Sequence, residues 1–356
     1  MFRPRGLHWQ TLFHLLVGRK PTFRGMHRVF LSIVDHFEPM WGRAGMSLQR
    51  ERVDRWVREY PRLCCGIEDS RSRPPQHTFF YPAEEYEPEH LEKLAGLCRQ
   101  GLGDVEIHLH HDNDTADNLR NTLETFKHRL HEGHGLLKAG RDGQVTYGFV
   151  HGNWALDNSR PDGRWCGVNN ELTVLRETGC YADFTMPSAP SSTQTRSFNS
   201  IYYAIDDPDR PKSHDRGIPA QVGAAPPARG LLMIQGPIAL DWGRRKFGLL
   251  PRLENGDLTG HFPPTLARLE RWLWAAVSVA GREDWCFVKL HTHGAQEKNA
   301  AMLLGEPMRE FHESLADFAR QSPELTYYYV TAREMADLVH QAEQGALEPE
   351  LDRAQV

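Results

Sequence analysis

Short apolar runs alternate along the chain with longer stretches whose apolar residues recur every three or four positions. The runs are VFLSIV (29–34), HTFFY (77–81), DVEIHLH (104–110), VTYGFVH (145–151), YADFTM (181–186), GLLMIQ (230–235), WCFVKLH (285–291) and LTYYYV (325–330). The periodic stretches are RVDRWVREY (52–60), PEHLEKLAGLCRQ (88–100), TADNLRNTLETFKHRL (115–130), NNELTVLRE (169–177), PTLARLERWLWAAVSVA (264–280) and TAREMADLVHQAE (331–343). Strands in regular alternation with helices predict βαβ units and a parallel sheet. Seven or eight such strands suffice to close a ring, so the expected fold is α/β, a (β/α) barrel of seven or eight parallel strands, TIM-like or distorted.

Residues 1–356 read as one large domain, since a single α/β barrel of this length buries a sizeable core in one piece. Three segments depart from the rhythm. TLFHLLVG lies in an expected N-terminal helical extension of about residues 1–25; the Pro-, Ser-, Asp- and Arg-rich stretch 187–227 reads as a long inserted loop; and the polar tail 345–356 is expected to fray.

The chemistry sits where the strands end. Alternation places Glu106, His108 and His110 on one face of their strand and Val105, Ile107 and Leu109 on the other, leaving a polar inner face against an apolar outer one. Imidazoles and carboxylates crowd the run through His111, Asp112 and Asp114, and that mixture suits zinc and related divalent ions. VFLSIVDH ends in Asp35 and His36, WCFVKLH in His291 followed by His293, and VTYGFVH in His151 followed by Asn153 and Trp154. Barrel active sites are assembled from the C-terminal ends of several strands, so these endings are read as one site. Trp41, Tyr81, Trp154, Trp165 and Trp242 would suit stacking on sugar rings, or core packing. No GxSxG elbow is present, which disfavours a serine hydrolase.

In order along the chain, LSIVDHFEP, HTFFYP, the helix PEHLEKLAGLCRQG leading into DVEIHLHHD, FVKLHTH and YYYVTAREMADLV resemble the motifs of the polysaccharide deacetylases with the NodB homology domain, part of the wider glycoside hydrolase/deacetylase barrel superfamily. The resemblance spans roughly Val29 to Val339. It implies a metal-dependent hydrolase, most simply a deacetylase of N- or O-acyl groups on a carbohydrate or glycan precursor. On this resemblance Asp35 matches the general base and His291 the general acid, while His36, His110 and Asp114 match the ligands of a divalent metal ion, zinc being the first choice. His151, Asn153 and Trp154 occupy the place of a substrate-binding segment, and Asp241 resembles a feature that orients the base, although it is equally placed to cap a helix. The chain departs from the pattern in carrying His at 36, Asp at 114, and HGNW where an Arg-Pro-Pro segment stands in the family. His108, His111 and His293 are further candidates for the same roles.

Composition narrows the partners. A net charge of -5 gives no general attraction to nucleic acid or to an anionic membrane. The six cysteines include no CxxC pair, which fits a reducing compartment. No run is long enough to span a membrane, so a cytoplasmic location is expected, with peripheral contact through the N-terminal helix as the alternative. The competing functional readings are a barrel glycoside hydrolase using carboxylates such as Glu38, Glu84 and Glu106, and a non-catalytic glycan-binding barrel.

Overall fold

The computed structural model describes residues 27–140 and 143–351, so the expected N-terminal helix and the last five residues of the tail lie outside the described residues. In chain order the elements are β1 (His27–His36), α1 (Met46–Cys64), β2 (His77–Pro82), α2 (Pro88–Arg99), β3 (Gly103–Leu109), α3 (Ala116–His134), β4 (Lys138–Ala139), β5 (Val145–His151), α4 (Glu171–Glu177), β6 (Cys180–Asp183), β7 (Ile201–Ile205), β8 (Ile218–Pro219), β9 (Gly230–Ile234), β10 (Ala239–Lys246), β11 (Leu250–Glu254), β12 (Asp257–Leu258), α5 (Leu266–Ala275), β13 (Trp285–Thr292), α6 (Glu297–Leu303), α7 (Glu306–Gln321), β14 (Leu325–Tyr329) and α8 (Ala332–Glu343). Each of the eight apolar runs became a strand, and each periodic stretch contains a helix.

Local chemistry sets the helix ends. Thr115 caps α3 by accepting the Asn118 N–H, and Gly135 ends that helix in the left-handed region at φ 65°. Thr331 and Glu334 form a reciprocal capping box at the start of α8.

β1 is the hub, buried along its whole length. One edge pairs in parallel with β13; the other holds β14 along His27–Leu31 and then β2 along Val34–His36. The ladder runs β12-β13-β1-β2-β3-β5-β6-β9-β7-β8, with β7 antiparallel to β9. Phe30, Phe80, Val150, Ala182, Ile234 and Phe287, from six strands, meet in one core with Met335 and Val339 of α8, so the sheet is curled about a concave face. The opposite face carries Leu31, Phe79, Ile107, Phe149 and Val288 against Trp56, Leu91, Leu123 and Leu175 of α1 to α4.

Among the described residues the two ends of the ladder, β12 and β8, do not pair, so the structure shows a large, mostly parallel curled sheet with helices and not the closed barrel expected. The reason lies partly in the stretch 187–227. It supplies β7, which joins the sheet antiparallel to β9, and β8 beyond it, so the ladder ends in a meander where a further parallel strand would be needed. The tail through residue 351 is tied down: Arg28 pairs with Glu348, Arg71 donates to the Pro349 carbonyl, and Gln341 bonds both backbone groups of Glu350. No helix of the described residues is long and apolar enough to cross a membrane.

Candidate metal centre and cleft

Strand parity decides which side chains meet. Phe30 and Val34 of β1 belong to the concave core, so His36 follows them inward, whereas Asp35 faces outward with Ile33 and Phe37. On β3, Glu106 and His108 point inward as expected, and on β13 Phe287, Lys289 and His291 do the same. On β5, however, Tyr147 and Phe149 pack on the helix side, which sends His151 outward as well.

At the C-terminal ends of β1, β3 and β13 a cluster of imidazoles results. The His36 ring centre lies 5.0 Å from that of His108, 4.8 Å from His293 and 6.4 Å from His291. The carboxylate at the centre is Glu38, two residues beyond His36, with Oε1 3.3 Å from His108 Nε2 and 3.6 Å from His110 Nε2. His36, Glu38 and His293 bring one donor atom each within 4.8 Å of one another, and so do Glu38, His108 and His110. Glu38 therefore joins two potential ligand sets.

The surroundings orient these donors. His108 Nδ1 donates to the Val150 carbonyl at 2.8 Å and His110 Nδ1 to Glu84 Oε1 at 2.6 Å, which turns both Nε2 atoms towards Glu38. Histidines whose second nitrogen is held by an oxygen are the usual ligands of protein-bound metals. Burial, reinforced by His293, His108, His291 and Lys289, drives the His36 pKa well below its ordinary value, so its ring is a neutral lone-pair donor. Burial raises the Glu38 pKa, but the bond from His108 and the charges of His108, His293 and His110 outweigh it and hold the carboxyl below the usual range. The Nε2 atoms of His108 and His110 converge on one buried carboxylate, a donor set fit for a divalent cation, which would replace any proton they share with Glu38.

Beside the cluster opens a cleft of about 530 Å³ lined by His291, His293, Trp154, Asp257, Ser188 and His261, among others. Trp154 stands 6.4 Å from both His36 and His293, ring centre to ring centre. Its φ of 53° is rare for a bulky residue, and Asn153 before it has φ 54°. Such strain concentrates at functional loops. Asn153 is exposed. His291 Nε2 lies 3.9 Å from Asp257 Oδ1.

The remaining candidates lie elsewhere. Asp35 accepts from Gly294 N–H at 2.6 Å and contacts His77 Nε2 at 2.8 Å, on the helix side of the sheet. Asp114 does not face His110; its Oδ2 lies 3.0 Å from His111 Nδ1. His151 shares that second location with His111, their ring centres 4.7 Å apart. Asp241 sits in the β10–β11 hairpin, engaged by Arg244 at 2.8 Å and Arg271 at 2.7 Å, outside the cleft lining. Glu106 accepts from Gly148 N–H and the Tyr181 hydroxyl, away from the imidazole cluster. The sequence placed Glu38 among glycosidase carboxylates and did not give it the centre of the imidazole cluster, although its even spacing from His36 was the available signal.

No protein-family profile matches the chain, so the deacetylase-like order of motifs has no counterpart there. No curated protein matches it. Among solved structures, an alpha-mannosidase from Enterococcus faecalis V583 is similar at 11% identity with a TM-score of 0.48, over 91% of this chain and 30% of that one. This chain therefore spans under a third of that protein's length.

Proposed function

We propose that the protein is a metal-dependent hydrolase that removes an acyl group from a carbohydrate. The observation that carries the reading is the convergence of His36, Glu38, His108, His110 and His293 at the mouth of a cleft walled by Trp154. A divalent ion, zinc by the donor set, supplies a Lewis acid that polarises a carbonyl and acidifies water.

Around that site the chain's own groups divide the work. Glu38, held ionised, serves as ligand or as proton acceptor. His291 and Asp257 stand 3.9 Å apart on the cleft wall. Burial and Lys289 drive the His291 pKa well below its ordinary value, so we assign the leaving-group proton to Asp257, whose pKa burial pushes up, with the neutral His291 beside it. The tryptophan ring offers a sugar an apolar face, and its Nε1–H, buried and without a partner among the described residues, a donor. Asp35 is reassigned from base to positioning residue, because its carboxylate is committed on the other face. The carbohydrate and the acyl group rest on the order of motifs and on Trp154.

The test is acid release from N- and O-acetylated oligosaccharides by zinc-loaded protein. Acetate should appear, stop on chelation, and be lost in His108→Ala. A glycoside hydrolase is the second reading, favoured by one observation: burial, with help from Glu38 and Glu84, pushes Glu85 up to about 7 while Glu38 is held down. Metal-independent release of reducing ends without acetate would replace the first reading by this one.

A further inference from the structure

On the helix side of the sheet, His111, His151, Cys166 and Glu171 gather from four separate places: the loop after β3, the end of β5, the β5–α4 loop and the first residue of α4. One donor atom from each lies within 4.8 Å of all the others. We propose that this is a second metal site, a structural zinc site with a Cys, a Glu and two His as ligands, distinct from the imidazole cluster at the cleft. It does not depend on the hydrolase reading, since none of its residues belongs to that cluster.

The hydrogen bonds leave the site short of a positive charge. His151 Nδ1 donates to the Gly152 carbonyl at 2.5 Å and His111 Nδ1 donates to Asp114 Oδ2 at 3.0 Å. Neither oxygen has a proton to give, so each Nδ1 carries its own and each Nε2 is left with a lone pair or a second proton. Both Nε2 atoms face Glu171 Oε1, at 3.2 Å from His111 and 3.6 Å from His151. The second distance is beyond hydrogen bonding, and His151 Nε2, fully buried, has no partner among the described residues. A proton on His111 pairs that ring with Glu171 but leaves His151 Nε2 orphaned, a cost that proteins rarely carry. A metal ion satisfies both rings and the carboxylate at once.

Cys166 completes the argument. Its Sγ lies 3.3 Å from Glu171 Oε2 and accepts from the backbone N–H groups of Asn158 at 3.2 Å and Val168 at 3.4 Å. Without a metal, burial and Glu171 push the Cys166 thiol up, so zinc itself must draw out the thiolate, which the two backbone donors then help to hold. Zinc bonds of about 2.0 to 2.3 Å in a tetrahedron place ligand atoms about 3.3 to 3.8 Å apart. The separations of the two imidazoles from Glu171 Oε1, 3.2 and 3.6 Å, are close to that range, and all four donors lie within 4.8 Å of one another. Binding forms the Zn–S bond and sends the thiol proton, with any proton on His111 Nε2, to solvent.

The site would do mechanical work for its neighbour. His110 adjoins His111, and a Cβ at Gly152 would come within 2.3 Å of the His110 ring, so that ring packs directly on the β5 end. A zinc tying 111, 151, 166 and 171 together fixes both the His110 loop and the strained turn that presents Trp154.

The experiment loads the protein, in a Cys65→Ser background because Cys65 is the exposed cysteine, with Co(II) and then Zn(II) alone. The cleft cluster contains no cysteine, so a sulfur-to-Co(II) charge-transfer band in the near ultraviolet reports the second site only. The band is expected in this protein, absent in Cys166→Ser, and accompanied there by the loss of one equivalent of bound zinc. Zinc X-ray absorption on the unsubstituted Cys166 protein should show one sulfur neighbour at about 2.3 Å. No band and no sulfur neighbour, or an unchanged zinc count in a folded Cys166→Ser, would overturn the proposal. Should that variant fail to fold, the two measurements on the Cys166 protein decide alone.

Discussion

Oδ2 of Asp35 stands 2.8 Å from Nε2 of His77, both side chains wholly buried, on the face of β1 opposite the imidazole cluster. The other carboxylate oxygen accepts from Gly294 N–H, one residue after His293, and a Cβ at 294 would fall within 2.1 Å of the carboxylate. Asp35 thus holds the His293 loop in place from behind. Asp35→Asn should weaken zinc binding by roughly 10- to 100-fold, the usual effect of losing a group behind a ligand. It should also cost stability, up to about 3 kcal/mol, since one partner of a buried pair loses its charge. Excess zinc should then restore turnover. A loss that no zinc concentration repairs would instead identify Asp35 as the proton acceptor.

Glu38 is the one carboxylate shared by both ligand sets, so its removal should do more than the loss of any single imidazole. Glu38→Gln keeps the shape and removes the charge. Zinc measured after dialysis should fall well below one equivalent per cleft site, and His108→Ala should fall likewise. Full occupancy in Glu38→Gln would place Glu38 outside the ligand shell and leave it as the base.

How much of this was legible depends on parity. The apolar runs marked the strands, and their histidine endings marked the end of the sheet where the imidazoles gather, because both signals are local. Which endings share a face is not local: it follows from which alternate residues of each run join the concave core. Phe30 and Val34 lie inward, so His36 joins the imidazole cluster and Asp35 faces the other way; Phe149 lies outward, so His151 does too. The second cluster had no local pattern, since Cys166 and Glu171 reach His111 only through an irregular loop held by contacts such as Asp114 N–H to the Cys166 carbonyl. GLLMIQ marked β9, but β7 and its antiparallel pairing were hidden because Ile201–Ile205 lies inside the Pro- and Ser-rich stretch read as a loop.

Trp154 presents a ring to the cleft and a buried Nε1–H without a partner among the described residues. For a carbohydrate substrate, Trp154→Phe keeps an apolar face and deletes the donor, and a lost hydrogen bond is worth about 1 kcal/mol, or about five-fold. The effect should fall on KM with kcat little changed, the pattern of a uniform binding contact. Trp154→Ala should raise KM further. Equal losses in kcat and kcat/KM for Trp154→Phe would show that the N–H acts on the transition state.

Lys289 is wholly buried beneath His291, its Nζ donating at 2.7 Å to the carbonyls of both Phe184 and Met186. Burial, only partly offset by Asp183, pushes its pKa down from 10.5 to about 7. Between those two values the unfolded chain binds a proton that the folded chain does not, so this group makes stability rise with pH across that window. Lys289→Met removes the titration, and its only constant cost is the two carbonyls left without a donor. Urea unfolding at several pH values should therefore show the variant at its best relative to the native protein near neutrality. That relative standing should worsen steadily as the pH climbs towards the ordinary lysine value, where the native lysine no longer pays for its burial. A difference between the two proteins that stays constant with pH would mean that Lys289 keeps an ordinary pKa, and that its charge is balanced inside the fold by Asp183.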